Sequence, residues 1–311
     1  MLIALFSAPA RLWPRYQAPL AAAFTEAGLA VSMADAAALP AEVDYIVYAP
    51  GGPLTDFTPY RRARAVLSLW AGVERIVSNP TLTQPLARMV DPALTEGMVE
   101  WVTGHVLRYH LGIDDHILGQ DGVWRGTTTP PLARERAVTI LGLGELGRAC
   151  AATLAALNFR VTGWSRSPKT LPGVTCLAGA EGLHKALASA EILVTLLPNT
   201  PDTENLLNAE TLALLPPGAR IINPGRGSLI DDAALIAALD RGQIGHATLD
   251  VFRTEPLPPD HPFWAHPRVT VTPHIAAETR PASAARVIAE NIARDQAGLP
   301  LLHLVDRTRG Y

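Results

Sequence analysis

The feature that most restricts the fold of this chain is a glycine pattern set between a strand pattern and a helix pattern. The apolar run Ala137–Leu141 is followed by Gly142-Leu143-Gly144-Glu145-Leu146-Gly147 and then by an Ala-rich helical pattern. In such a unit the first glycine allows a tight turn, the second lets a pyrophosphate approach the backbone, and the third lets the helix pack on the strand. An incidental glycine-rich turn is the weaker interpretation, because a second strand pattern follows at 159–163. The sequence therefore predicts a dinucleotide-binding Rossmann unit.

Short apolar runs alternate with Ala/Leu-rich helical stretches along the whole chain. This alternation is typical of βαβ units and parallel sheets with helices on both faces, so the predicted fold class is α/β with two doubly wound domains. A long helical pattern covers 93–118, and the Gly/Thr/Pro-rich stretch 122–131 predicts a loop. The expected strands are 2–6, 45–49, 65–69 and 75–77 in the first hundred residues, then 137–141, 159–163, 192–196, 220–223, 247–251 and 269–272.

The length of 311 residues exceeds the usual size of one core, so two domains are expected. A boundary falls near residue 100. The last helical stretch, 281–298, follows the sixth strand of the second unit and is expected to pack back on the first domain. The predicted division is 1–100 with 276–311, and 101–275.

Composition excludes several classes of partner. Hydrophobic residues make up 48% and charged residues 18%, and the net charge is -3, so nothing favours nucleic acid or an anionic membrane surface. Cys150 and Cys176 have no metal-ligand spacing and are expected to be reduced thiols. The run Leu2–Phe6 is too short for a signal peptide, and no stretch approaches the roughly 18 apolar residues of a membrane helix. We expect a cytoplasmic protein without a metal.

The end of the second Rossmann strand indicates which cofactor binds. An Asp or Glu there would hold the ribose 2′-hydroxyl of NAD, but this chain has Ser165, followed by Arg166 and Lys169. The two cations are placed where the 2′-phosphate of NADP would lie. The alternative is an exposed basic turn, which is weakened because the chain has only two lysines, Lys169 and Lys185. NADP(H) is therefore favoured, with NAD(H) as the alternative.

Three polar residues follow three later strand patterns and are expected at the same edge of the sheet. They are Arg226 in Asn223–Gly227, Glu255 before Pro256, and His274 after Thr272-Pro273. Reduction of a 2-keto acid needs a cation for the carboxylate, a proton donor for the carbonyl oxygen, and a carboxylate that keeps the donor protonated. These residues meet those needs, although a structural ion pair and a structural histidine remain the alternatives.

With these motifs in place, the chain resembles the D-isomer-specific 2-hydroxyacid dehydrogenase family. The resemblance is carried, in family order, by the glycine motif, Leu197–Thr203, Asn223–Gly227, Leu249–Pro256, Thr272–Ala276 and the closing residues 305–311. It implies NADPH-dependent reduction of a small 2-keto acid, glyoxylate or hydroxypyruvate, to the D-2-hydroxy acid. It also implies that Arg226 and His274 are catalytic with Glu255 supporting His274, that the protein is a homodimer formed through the nucleotide domain, and that a discontinuous, flavodoxin-like substrate domain carries the inserted NADP-binding domain.

The same resemblance assigns further residues. It implies cofactor contacts at Gly142, Gly144, Glu145, Leu146, Gly147, Ser165, Arg166, Lys169, Leu197, Pro198, Thr203 and Asp250, the last near the nicotinamide carboxamide. The backbone amides of Ala71, Gly72 and Val73 are implied to bind the substrate carboxylate.

Three positions depart from the family pattern. Trp70 stands where the family usually has glycine, Tyr48 where the subgroup has tryptophan, and Pro168 where it has a further basic residue. The first two leave open an aromatic or branched 2-keto acid that stacks on these rings. Other open alternatives are a nucleotide-sensing, corepressor-like binding protein and an NAD-linked biosynthetic dehydrogenase.

Overall fold

The computed structural model describes residues 1–34, 39–126, 129–308 and 310. It divides into two compact units, Met1–Leu94 with Thr279–Tyr311, and Thr95–Glu278. The boundaries lie within about six residues of the expected positions. Each unit contains a parallel sheet with helices, which confirms the α/β fold class. Residues 127–128 of the expected loop, and Arg309 and Tyr311 of the closing motif, lie outside the described residues.

Strands and helices alternate along much of the chain. The strands are β1 Leu2–Ser7, β2 Val31–Ala34, β3 Tyr45–Tyr48, β4 Ala65–Ser68, β5 Leu86–Ala87, β6 Ala137–Leu141, β7 Arg160–Ser165, β8 Val174–Ala178, β9 Ile192–Thr195, β10 Ala219–Asn223, β11 Ile244–Leu249 and β12 Val269–Val271. The α-helices are α1 Trp13–Glu26, α2 Glu74–Val77, α3 Pro92–Leu111, α4 Ile113–Leu118, α5 Glu145–Ala156, α6 Gly179–Ala188, α7 Ala209–Ala213, α8 Asp232–Asp240 and α9 Pro281–Gln296.

The first unit has the strand order β2-β1-β3-β4-β5, with every pair parallel. This is the flavodoxin-type doubly wound order. Its β3 and β4 are buried along their whole length, as expected for strands covered on both faces. The C-terminal helix α9 packs on α1, and Leu20 and Phe24 share one apolar cluster with Ile288 and Ile292. The two ends of the chain therefore build one core.

The second unit has the strand order β12-β11-β10-β9-β6-β7-β8. Read from β8, the first six strands follow the Rossmann order 3-2-1-4-5-6, and β12 adds a seventh parallel strand at the edge. The strand order reverses between β6 and β9, where the carboxyl ends of the strands form a crevice for ligands in open α/β sheets. The glycine turn after β6 lies at this switch point.

Several local predictions were wrong. Residues 75–77 belong to helix α2 and not to a strand, because the Val73 carbonyl accepts hydrogen bonds from the amides of Ile76 and Val77. The fifth strand of that sheet is instead the two-residue β5. Strands β2 and β8 were not predicted. The helical pattern over 93–118 is interrupted at Gly112, whose φ of 64° is in the left-handed region. No helix among the described residues is long and apolar enough to span a membrane.

Candidate active site

The turn after β6 has the geometry that a phosphate loop requires. Gly142 has a φ of 107°, and a Cβ there would lie 2.5 Å from the Leu196 carbonyl oxygen. A Cβ on Gly147 would lie 1.7 Å from the Gly142 oxygen, so α5 packs directly on the turn. By contrast, a Cβ on Gly144 would meet nothing within 4 Å. Gly144 is also the N-cap of α5, and no side chain caps the helix. Open space and uncapped helix amides therefore coincide, which suits a bound pyrophosphate.

Basic residues follow the end of β7. The Ser165 hydroxyl donates to the Ser167 carbonyl at 2.7 Å and fixes the turn. Arg166 and Lys169 are exposed, and Arg166 Nη1 lies 3.9 Å from Asp202 Oδ2. These side chains fit a 2′-phosphate better than a 2′-hydroxyl, since there is no carboxylate at position 165 to bind the hydroxyl.

The segment after β9 is held by its own hydrogen bonds. The Thr203 hydroxyl donates to the Pro198 carbonyl at 2.7 Å and accepts from the Thr200 amide at 2.9 Å. Leu197 is nearly buried, at 9% exposure, beside the glycine turn. On α5, Glu145 forms an ion pair with Arg148 at 2.6 Å, and Leu146 packs against an apolar cluster. The roles of these residues in cofactor binding remain predictions.

Arg226 follows β10 in a tightly bonded turn. The Asn223 side chain donates to the Arg226 carbonyl at 2.9 Å and accepts from the Gly225 amide at 3.1 Å. Its amide oxygen also accepts from the Thr195 hydroxyl at 2.6 Å. The backbone at Arg226 is therefore fixed by buried polar groups of two neighbouring strands. Its guanidinium lies close enough to His274 and Glu255 for its charge to lower the pKa of both.

His274 and Glu255 form a direct pair. His274 Nδ1 lies 2.7 Å from Glu255 Oε2, and Glu255 Oε1 accepts from the Phe252 amide at 2.9 Å. The hydrogen bond to Glu255 raises the pKa of His274 above its ordinary value, although partial burial acts in the opposite direction. Burial would raise the pKa of Glu255, but the hydrogen bonds from His274 and Phe252 outweigh it and lower that pKa. The pair therefore favours imidazolium beside carboxylate.

The surroundings of His274 differ from those of three other histidines in the described residues, His105, His110 and His246. Burial lowers the pKa of His105 and His246 to about 4, and it also lowers the pKa of His110. These three rings are neutral near pH 7. With Nδ1 of His274 bound to Glu255, Nε2 is the nitrogen left to donate a proton, and the side chain is 52% exposed.

Asp250 supports the backbone on which His274 stands. Its fully buried carboxylate accepts from the Thr272 hydroxyl at 2.6 Å and from the amides of Ile275 and Ala276, each at 2.9 Å. The His274 amide donates to the Asp250 carbonyl at 2.8 Å. His274 has a φ of 55°, which an L-residue keeps only when its surroundings hold it there. Sequence reasoning placed Asp250 near the nicotinamide and missed this holding role.

The residues predicted for substrate binding in the first unit lie at the end of β3 and after β4. None of the amides of Ala71, Gly72 and Val73 donates a hydrogen bond within the part of the chain that the structure describes. Tyr48 is 8% exposed, its ring lies 5.8 Å from that of Phe57, and burial raises the pKa of its hydroxyl. The residue is thus largely part of the core.

Trp70 opens the same turn. Its amide donates to the Ser68 hydroxyl at 3.1 Å and its carbonyl accepts from the Met89 amide at 3.1 Å. Its indole is half-buried against the apolar cluster that contains residues of α1 and α9.

Among the described residues, no group of three or more His, Cys, Asp and Glu side chains is placed to hold a metal ion.

Comparison with known proteins agrees with this geometry. The family profile described as D-isomer specific 2-hydroxyacid dehydrogenase, NAD binding domain, matches residues 105–276. The chain belongs to the D-isomer-specific 2-hydroxyacid dehydrogenase family. The resemblance stated from the sequence motifs is thereby confirmed.

Relatives within the D-isomer-specific 2-hydroxyacid dehydrogenase family match 80% or more of the chain. A family member from Xanthobacter autotrophicus Py2, solved with NADPH and MES, is 42% identical, covers 99% of both chains and has a TM-score of 0.92. An NADPH-dependent glyoxylate/hydroxypyruvate reductase from Sinorhizobium meliloti, solved with NADP and sulfate, is 34% identical, covers 100% of both chains and has a TM-score of 0.87. Glyoxylate/hydroxypyruvate reductase A from Serratia proteamaculans is 43% identical over 80% of this chain and 82% of its own.

Proposed function

We propose that the protein is an NADPH-dependent reductase that converts a small 2-keto acid, glyoxylate or hydroxypyruvate, to the D-2-hydroxy acid. The observation that carries the proposal is the His274–Glu255 pair at 2.7 Å, with the Arg226 guanidinium beside it at the carboxyl edge of a Rossmann sheet. The names of the relatives from Serratia and Sinorhizobium support the same reaction.

The proposed mechanism assigns one task to each side chain. NADPH, when bound, would supply the hydride for C2 of the keto acid. Arg226 binds the substrate carboxylate through its planar, always charged guanidinium. His274 gives its Nε2 proton to the carbonyl oxygen, and Glu255 stabilises the imidazolium from which that proton leaves. We also propose that the amides of Ala71, Gly72 and Val73 bind the carboxylate, and that the first unit is the substrate domain.

NADP(H) is the preferred cofactor in this proposal, with NAD(H) as a weaker substitute. The glycine turn and the helix amides bind the pyrophosphate, as in other Rossmann units. Arg166 and Lys169 bind the 2′-phosphate, and the solved relatives with NADPH or NADP support this choice. Ser165, Glu145, Leu146, Leu197, Pro198 and Thr203 are proposed as further cofactor contacts. Asp250 contributes by holding the His274 loop.

A homodimer formed through the second unit completes the proposal. Four large apolar side chains within eight residues are well exposed: Ile117 at 62%, Leu118 at 85%, Val123 at 62% and Trp124 at 95%. Large exposed apolar patches are uncommon on monomeric proteins and often mark interaction surfaces. We propose that a second copy of the chain covers them.

The two unpaired thiols, Cys150 and Cys176, support a cytoplasmic enzyme.

The test is a spectrophotometric screen of NADPH and NADH oxidation with glyoxylate, hydroxypyruvate, pyruvate and phenylpyruvate. We expect turnover with NADPH and the two small keto acids, and a smaller kcat/KM with NADH. Fastest turnover of phenylpyruvate would instead favour selection of an aromatic keto acid beside Trp70. If no keto acid is reduced, the reductase proposal is wrong and a nucleotide-sensing protein becomes the better interpretation.

A further inference from the structure

Arg253 joins three loops of the second unit through one guanidinium. It lies in the turn after β11, and its Nη2 donates to the Ile230 carbonyl at 2.7 Å and the Ser228 carbonyl at 3.2 Å. Nη2 also donates to the Asn205 side chain, and Nη1 lies 3.5 Å from Glu204 Oε1. The side chain is only 33% exposed. Arginine suits such a place because its rigid fork reaches several acceptors at once.

The backbone beneath this guanidinium is closely fitted. A Cβ on Gly227 would lie 2.0 Å from the Phe252 carbonyl carbon and 2.4 Å from the Arg253 nitrogen. The Asn205 amide donates to the Ser228 carbonyl at 2.9 Å. The loop that begins at Arg226 therefore rests on the turn that ends at Glu255, and the Arg253 side chain clamps this contact from one side.

The proposed cofactor segment, which ends next to Glu204 and Asn205, also has hydrogen bonds of its own. Thr203 is held by its own hydrogen bonds to Pro198 and Thr200, at 2.7 and 2.9 Å. Loss of the Arg253 guanidinium therefore acts mainly on the Arg226 and Glu255 loops. Arg253 itself has no place in the proposed chemistry, and no signal in the sequence singled it out within the Leu249–Pro256 motif.

We propose that Arg253 is a positioning residue that fixes the Arg226 loop against the turn carrying Glu255, so that carboxylate binding and proton donation act on the same substrate molecule. The inference rests on the proposed reduction of a 2-keto acid. Small displacements of positioned groups reduce rates strongly, because the advantage of orientation is lost within about 1 Å.

The experiment compares Arg253→Ala, Arg253→Lys and Arg226→Ala with Arg160→Ala as the matched control. Arg160 is a 63% exposed arginine of the same unit that also donates to a carbonyl, that of Glu135 at 3.1 Å. For each variant, kcat, the KM for the keto acid, the Kd for NADPH by fluorescence titration and the Tm are measured. In Arg253→Ala we expect the KM for the keto acid to rise about 10-fold. The Kd for NADPH should stay within about 2-fold, and Arg160→Ala should match the wild type.

Arg253→Lys keeps the charge, but a lysine lacks the planar guanidinium that donates to several acceptors at once. Its KM for the keto acid should therefore lie between those of the wild type and Arg253→Ala. This milder variant decides the question if Arg253→Ala does not fold. The inference is overturned if the KM for the keto acid stays at the wild-type value, or if the Kd for NADPH rises by the same factor. If Arg226→Ala also leaves that KM unchanged, the proposed role of Arg226 is wrong as well, so the two failures are distinguishable.

Discussion

At the scale of single residues, the ring of His274 is set apart by its neighbours. Glu255 contacts Nδ1, Asp250 holds the loop and Arg226 lies within electrostatic range. His105 and His246 have the opposite setting, since burial makes them neutral. Chemical function in this protein therefore follows from the local environment and not from the residue type alone.

The first prediction concerns the proton donor. His274→Ala should lower kcat for keto-acid reduction by at least about 100-fold, because it removes the group that protonates the carbonyl oxygen. Initial rates at saturating NADPH check this, and the Kd for NADPH serves as the control for an intact nucleotide site. A kcat within a few-fold of the wild type would show that His274 is not the acid.

The second prediction is a pH dependence. The pKa of His274 is raised by Glu255, so reductive kcat/KM should be maximal at low pH and fall as pH rises through that raised pKa. Glu255→Gln removes the cause of the increase, and the fall should then begin at a lower pH. Glu210→Gln, which neutralises an exposed carboxylate at α7, is the control. Identical profiles for all three proteins would contradict the role of Glu255.

The third prediction tests cofactor choice. Arg166→Ala should raise the KM for NADPH about 10-fold, because one charge-assisted hydrogen bond at an exposed site contributes about this factor to binding. The KM for NADH should stay nearly unchanged. Lys185→Ala removes a surface cation paired only with Glu181 in the described contacts, and is the control. Equal effects of Arg166→Ala on both cofactors would leave the NADPH preference without an explanation.

At the scale of elements, the β6–α5 unit depends on glycines whose missing side chains leave room for backbone. A methyl group on Gly147 would overlap the Gly142 carbonyl, whereas Gly104 within α3 has nothing within 4 Å of its Cβ position. Gly147→Ala should therefore lower the free energy of unfolding by about 1 to 3 kcal/mol and weaken NADPH binding. Gly104→Ala, the matched control, should raise it by about 0.5 to 1 kcal/mol. Urea unfolding and NADPH titration measure both effects.

The elements also show what sequence patterns can and cannot predict. The strands beside the glycine turn were predicted to within a residue or two, because β6 and β9 are buried and mostly apolar runs. The strand β5 has only two residues, which is too short to show a periodic pattern. Residues 75–77 have a strand-like sequence, but hydrogen bonds to the Val73 carbonyl make them helical.

The site divides in the same way. The placement of Arg226, Glu255 and His274 near one another was predictable because each follows a strand end in a recognisable motif, and their catalytic roles stay predictions. The hydrogen bonds of Asp250 and the proposed role of Arg253 could not be predicted, because these bonds join loops 22 to 48 residues apart along the chain. Such pairings are set by the folded backbone and leave no periodic pattern in the sequence.

At the scale of the whole molecule, the proposed dimer rests on the exposed apolar side chains between Ile117 and Trp124. Light scattering after gel filtration should give the mass of a dimer, and Trp124→Glu should shift it towards the monomer, because it places a charge in the interface. Leu299→Glu, at a leucine 51% exposed in the first unit, is the control. A wild-type monomer at micromolar concentration would contradict the dimer.

The pairing of α1 with α9 has a consequence for how the chain is made. Leu20 and Phe24 pack against Ile288 and Ile292. The ribosome adds these two isoleucines roughly 15 to 50 s later, at about 5 to 20 residues per second. During that interval the whole second unit, Thr95–Glu278, is synthesised with its complete set of strands. The first unit therefore completes its core only after the second unit has been synthesised, and the apolar face of α1 stays uncovered until then.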